Sequence, residues 1–230
     1  MAGRVMALGP AHLAKVARDV AKIEHVSQLT KLTKLTEGEI EAQAIRLVAE
    51  LNGGAFWIFA YGSLIWKPDF EHVELRRGVV HGWRRSFCLG IRNWRATPDQ
   101  PGLMLALERG GSCTGVAYRM PEDDPEGRML RLLKRELAYL EDLPWLRWVT
   151  VRSAEAPVRA LAFYCTIAGD PDVERLALDE QVRRLARAVG YGGSCAEYLY
   201  NTVSHLEEMG IRDRYLWDLQ ARVAAEIDRL

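Results

Sequence analysis

Cysteine is scarce: the chain of 230 residues carries four, Cys88, Cys113, Cys165 and Cys195, and none stands in a C-x-x-C pair. No histidine lies at ligand spacing beside them, so neither a zinc site nor a thioredoxin-like dithiol is expected. Cys88 and Cys165 sit inside apolar, strand-like runs, where cysteine serves as a small hydrophobe, and all four read as reduced thiols. His12, His25, His72, His81 and His205 form no H-x-x-x-H pair, which argues against a metal hydrolase. A G-x-S-x-G elbow is missing too, and with it the usual sign of a serine nucleophile. No apolar run approaches the roughly 18 residues that a membrane-spanning helix needs. The N-terminus lacks the basic-then-apolar layout of a secretion signal. An excess of charge of either sign is also absent, since Lys plus Arg and Asp plus Glu both number 31. That balance removes the basic excess expected of a nucleic-acid or acidic-membrane partner. A cytoplasmic protein is the default, and neither metal nor cofactor is expected.

What is present suits one catalytic domain with an extension. A hydrophobic share of 49% is enough for a substantial core. Residues 1–52 read as a helical extension, with helices over 11–23 and 37–51 joined by the stretch 29–36. Thr36 and Glu39 fit a capping box, and Asn52-Gly53-Gly54 ends the second helix. From residue 53 onward, short strands are expected near 56–61, 75–81, 83–91, 103–107 and 114–119, punctuated by glycine and proline as in a small mixed or antiparallel barrel. A helix over 125–140, strands at 148–152 and 159–164, and helices over 173–189, 196–209 and 213–229 complete an α+β fold: a β-barrel-like core with surrounding helices.

Two places carry chemistry. The run from Phe56 to Phe70 is apolar until Tyr61-Gly62-Ser63 and closes on Lys67-Pro68-Asp69, which reads as strand, sharp turn and loop. Glycine leaves the backbone bare, so the N–H groups of Gly62, Ser63 and Leu64 can converge on one anion or carbonyl oxygen; the alternative is an ordinary strand-to-loop turn. The second place is Glu136, which a helical wheel over 129–140 puts in the middle of the apolar half. A carboxylate aimed at a core must be compensated, protonate, or line a polar cavity. It therefore marks either acid-base chemistry or a structural pair with an arginine such as Arg85 or Arg95. Those two arginines are also candidate binders of substrate carboxylates. Tyr61 can hydrogen-bond a ligand or pack its ring in the core.

The string Tyr61-Gly62-Ser63-Leu64-Ile65-Trp66-Lys67-Pro68 resembles the signature of the ChaC family of γ-glutamylcyclotransferases. Further matches follow in order: Gly82-Trp83-Arg84-Arg85-Ser86-Phe87-Cys88-Leu89, Thr97-Pro98-Asp99-Gln100-Pro101-Gly102, Gly115-Val116-Ala117-Tyr118-Arg119, Lys134-Arg135-Glu136, Leu143-Pro144-Trp145 and Glu197-Tyr198-Leu199. The resemblance runs from about residue 53 to near the C-terminus. It implies cleavage of glutathione to 5-oxoproline and cysteinylglycine, with Glu136 at the position of the family's catalytic glutamate and Tyr198 at that of a tyrosine in its late helix. Ser194 and Glu197 also read as a capping box, which gives Glu197 a structural role. The chain departs from the pattern at Trp94-Arg95-Ala96, where His-Arg-Gly is usual, at Leu103, where an arginine is usual, and at Cys195, where asparagine is common. The lost cation at Leu103 opens a second reading, a cyclotransferase for another γ-glutamyl amine or dipeptide, and the family's association with cation transport a third, a non-catalytic binding or regulatory protein on the same scaffold.

Overall fold

The computed structural model describes residues 5–22, 32–165 and 173–230. By contact density the chain forms two compact units, one from residues 27–85 and 107–166, the other from 1–26, 86–106 and 167–230.

The barrel strands are β1 (Trp57–Ala60), β2 (Glu74–Ile91), β3 (Gly102–Arg119), β4 (Leu146–Ser153) and β5 (Val158–Phe163); β1, β4 and β5 lie wholly in the first unit, β2 leaves it after Arg85 and β3 enters it at Leu107. They close into a barrel in the order β1-β3-β2-β4-β5. β1 runs antiparallel to β3, with Trp57 opposite Arg119 and Ala60 opposite Val116. Its other neighbour, β5, is parallel at Ile58 and Leu161, so the barrel is mixed. Central position explains the sequence of β1: all of Trp57, Ile58, Phe59 and Ala60 are buried, and none of the four is polar. Phe59, Val80, Trp83, Leu107, Ala117, Val149, Val151 and Ala160 make the core of this unit. Gly115 of β3 is fitted to that core, because a Cβ there would lie 2.6 Å from the Phe59 ring and 2.5 Å from the Ala60 carbonyl oxygen. Gly115→Ala is therefore expected to overpack the barrel and lower stability by roughly 3 kcal/mol, read as a lower denaturant midpoint at unchanged slope.

Two expected strand pairs are single long strands. Gly82 lies inside β2 at φ +83, and Gly110 and Gly111 lie inside β3 at φ +115 and +67. These glycines bend the strands without ending them, whereas the sequence pattern reads them as breaks. Helix α2 (Glu37–Ala49) starts at the expected capping box: the Thr36 hydroxyl accepts from the Glu39 N–H, and Glu39 accepts from the Thr36 N–H. Helix α4 (Pro125–Glu136), capped by Asp124, ends four residues before its expected limit of 140. Residues 137–140 leave the helix to run beside 33–35: Leu35 N–H donates to the Ala138 carbonyl, and Leu140 N–H donates to that of Thr33. A short 3-10 helix then spans Leu140–Trp145.

The second unit gathers α1 (Pro10–Val16), α5 (Leu178–Arg187), α6 (Cys195–Glu208) and α7 (Arg214–Asp228) around a two-stranded hairpin, β6 (Val189–Gly190) with β7 (Gly193–Ser194). α5, α6 and α7 pack on one another, and α1 packs on α7. The first helix is shorter than the expected 11–23: it stops at Val16, Ala17 is extended, and Arg18 turns away to donate to the Arg187 carbonyl. Ile23, His25 and residues 29–31 of the expected connection lie outside the described residues. α5 starts five residues later than the expected 173, because Val173 bridges Leu89 and the Glu174 N–H donates to the Cys88 carbonyl. All four cysteines are buried free thiols. Among the described residues no helix is long and apolar enough to cross a membrane.

Candidate active site

The turn at residues 61–64 joins β1 to a one-turn helix, α3 (Ser63–Trp66). Gly62 caps α3 with φ −138, so its backbone is not left-handed; what glycine gives the turn is the missing side chain. The Gly62 carbonyl accepts from the Ile65 N–H, and that of Ser63 accepts from the Lys67 N–H. Donors at the start of a helix have no intrahelical acceptor, which leaves the Ser63 and Leu64 N–H groups outside the hydrogen bonding of α3 itself. Leu64 and Ile65 are buried and anchor the turn to its unit. Tyr61 is half-buried and packs against the barrel core, its ring 6.5 Å from that of Phe59. A branched side chain in place of Gly62 would shield these N–H groups.

Arg85 lies directly behind the turn. Its side chain is buried, Nε donates to the Tyr61 carbonyl at 2.7 Å, and Nη2 donates to the carbonyl of Thr114. In this arrangement the guanidinium braces the backbone that carries the turn, a contact that the expectation of a carboxylate binder did not include.

Glu136 is the last residue of α4 and follows the buried positions Met129, Leu132 and Leu133 at helical spacing. One fifth of its side chain is exposed. Burial pushes its carboxyl above the usual range, the adjoining Arg135 guanidinium pulls it back, and the negative charge of Asp69 raises it further. The partner is thus neither Arg85 nor Arg95: Arg135 Nε lies 2.8 Å from Glu136 Oε1. Arg135 Nη1 also sits 3.2 Å from Asp69 Oδ2 and donates to the Pro68 carbonyl. Arg135 and Asp69 were missed as members of this cluster. The wheel shows which face Glu136 occupies, but not which loop comes to meet it.

Arg95 and Tyr198 belong to the second unit, where they are neighbours. Arg95 is buried, Nη1 donates to the Ser194 carbonyl at 2.8 Å and pairs with Glu197, and its Cζ lies 5.8 Å from the Tyr198 ring centre. Ser194 caps α6 by accepting from the Glu197 N–H. The Glu197 carboxylate is given to Arg95, so the structural role expected of Glu197 includes a salt bridge. Tyr198 is buried edge-on against Phe87, with ring centres 6.0 Å apart. At the departures from the family pattern, Leu103 is fully buried, Cys195 is a buried thiol whose pKa desolvation raises to about 11, and Trp94 is exposed, edge-on to Tyr191.

A ChaC-like protein family model matches residues 56–226. The chain belongs to this family. A Glutathione-specific gamma-glutamylcyclotransferase of Escherichia coli (strain K12) is 37% identical over 192 residues, covering 80% of each chain. Gamma-glutamylcyclotransferase 2-3 of Arabidopsis thaliana is 33% identical over 179 residues, covering 74% of this chain and 88% of its own. Among solved structures, the gamma glutamyl cyclotransferase specific to glutathione from yeast superposes with a TM-score of 0.64 over 75% of this chain and 99% of its own, at 20% identity. The ChaC-like chain thus shares the fold of that enzyme.

Proposed function

We propose that this protein is a γ-glutamylcyclotransferase that cleaves glutathione to 5-oxoproline and cysteinylglycine. Membership of the ChaC-like family and the names of its relatives support the reaction class. The observation that carries the chemistry is Glu136, a carboxylate at a helix end whose proton affinity burial has raised.

The substrate brings its own nucleophile. The α-amine of the γ-glutamyl group attacks its γ-carbonyl, a five-membered ring closes, and the C–N bond to cysteine breaks as that nitrogen gains a proton. No water is consumed and no enzyme nucleophile is needed, in keeping with the missing G-x-S-x-G. The protein must hold the folded conformer, remove a proton from the α-ammonium and stabilise the oxyanion. An α-ammonium of pKa about 8 facing an ordinary glutamate near 4.3 makes direct transfer uphill by about 5 kcal/mol. A raised Glu136 pKa narrows that gap, and the same carboxyl then returns the proton to the departing amine. The N–H groups of Gly62, Ser63 and Leu64 cradle the γ-glutamyl carboxylate or the oxyanion, with Tyr61 beside them and Arg85 bracing the turn. The catalytic domain comprises residues 53–230 and the extension residues 1–52. The protein works in the cytoplasm, where a reducing environment keeps its four buried thiols free.

Incubation with glutathione tests the reading: 5-oxoproline and cysteinylglycine should appear in equal amounts, with no free glutamate. Release of 5-oxoproline from other γ-glutamyl dipeptides but not from glutathione would transfer the assignment to another substrate. That second reading rests on Leu103, a fully buried leucine where the family pattern has a cation.

A further inference from the structure

The loop that follows α3 reaches Glu136 through one side chain. Arg135 spans both: Nε faces Glu136 Oε1 at 2.8 Å, while Nη1 faces Asp69 Oδ2 at 3.2 Å and donates to the Pro68 carbonyl. Asp69 holds its place with φ +50, a left-handed conformation that aspartate tolerates better than most residues. We propose that Arg135 is a positioning residue shared between two carboxylates, and that Asp69, by holding its guanidinium, keeps Glu136 available to accept a proton. This inference rests on Glu136 being the general base and adds two residues that tune it.

The physical case is one of divided charge. A guanidinium facing a single carboxylate stabilises the ionised form strongly, which would make Glu136 a poor base. Asp69 opposes this twice: it takes part of the guanidinium's hydrogen-bonding capacity, and it places a second negative charge near Glu136. The end of α4 acts in the same sense, since the unused carbonyls of a helix C-terminus disfavour an anion. The other charged groups of the surrounding elements have partners of their own. The exception is Lys67, whose Nζ lies 4.0 Å from Asp69 Oδ2 at an exposed edge of the cluster; Glu71 pairs with Arg128, and Glu37 of α2 pairs with Lys134. After α4, Asp142 accepts from the N–H groups of Ala138 and Tyr139, and Glu141 accepts from that of Thr33. Arg135 and Asp69 are accordingly the pair through which the loop addresses Glu136.

The test is the acid limb of the pH profile of kcat/KM for glutathione in Asp69→Asn, Asp69→Glu and Arg135→Gln, with thermal melts to verify folding. Asp69→Asn leaves Glu136 as the one carboxylate facing Arg135 and removes a like charge, so the limb should move down by about one pH unit. Asp69→Glu restores the carboxylate and should bring the limb back. Arg135→Gln removes the cation and should move the limb up by a similar amount. A structural role alone would lower kcat without moving the limb in opposite directions. Limbs that stay in place, or that move together, overturn the proposal. If Arg135→Gln does not fold, Asp69→Asn against Asp69→Glu decides it: a limb that moves down and is restored supports the proposal, and any other result overturns it. Full turnover by Glu136→Gln would remove the functional reading itself; an inactive Glu136→Gln with immobile limbs removes only this inference.

Discussion

Glu136→Gln should abolish nearly all release of 5-oxoproline, by a factor of about a thousand or more in kcat, while leaving the protein folded and able to bind glutathione. The amide keeps the size of the side chain but cannot take a proton from the α-ammonium or return it to the leaving amine. Stability should move the other way. A carboxyl whose folded-state pKa is raised binds its proton more tightly in the folded protein than in the unfolded chain, so its ionisation costs stability. That cost is absent below the unfolded-state value near 4.3, grows as pH rises, and is fully present above the raised folded-state value. A neutral glutamine avoids it, and Arg135 still has Asp69 and the Pro68 carbonyl. The variant should therefore melt at the same temperature as the parent or higher at neutral pH, and the difference should shrink on acidification. Near-normal turnover would remove Glu136 from the mechanism, whereas loss of activity together with a much lower melting temperature would mean the side chain is needed for the fold.

The two chemical elements differ in how much of them the sequence discloses. The apolar run that stops at Tyr61-Gly62-Ser63 is legible because a fully buried β1 leaves no polar position between Phe56 and Ala60, and the change to turn residues is abrupt. Glu136 is legible because helical periodicity alone sets the face it occupies, even though α4 ends at that residue. Its early end is not legible. The competing partner for 137–140 is residues 33–35, about a hundred positions away, and local pattern carries no trace of such pairing. Arg85 is the opposite case, since position and type suggest a carboxylate binder while the fold turns it inward onto the carbonyls of Tyr61 and Thr114. Glycine misleads in β2 and β3 for a related reason. Its freedom at Gly82, Gly110 and Gly111 reads as a break in sequence, but in a curved barrel it lets one strand continue around a bend.

Acetylation of the substrate's α-amine should abolish reaction entirely, and it separates cyclisation from hydrolysis more sharply than any mutation. An N-acetyl group makes that nitrogen an amide, whose lone pair is no longer available to attack the γ-carbonyl, while the scissile bond and the cysteinylglycine portion are unchanged. An enzyme that activates water against the γ-carbonyl could still cleave such a compound. The fate of oxygen gives the same answer independently. Ring closure consumes no water, so 5-oxoproline formed early in water enriched in heavy oxygen should carry no label, and glutamate should be undetectable. The two readouts also divide the roles within the site. If N-acetylglutathione competes with glutathione while yielding no product, the substrate is held without help from the free amine. The proton-transfer role of Glu136 is then confined to the step that the acetyl group blocks. Cleavage of the acetylated tripeptide, or labelled glutamate among the products, would make Glu136 an activator of water and place this chain in a different reaction class.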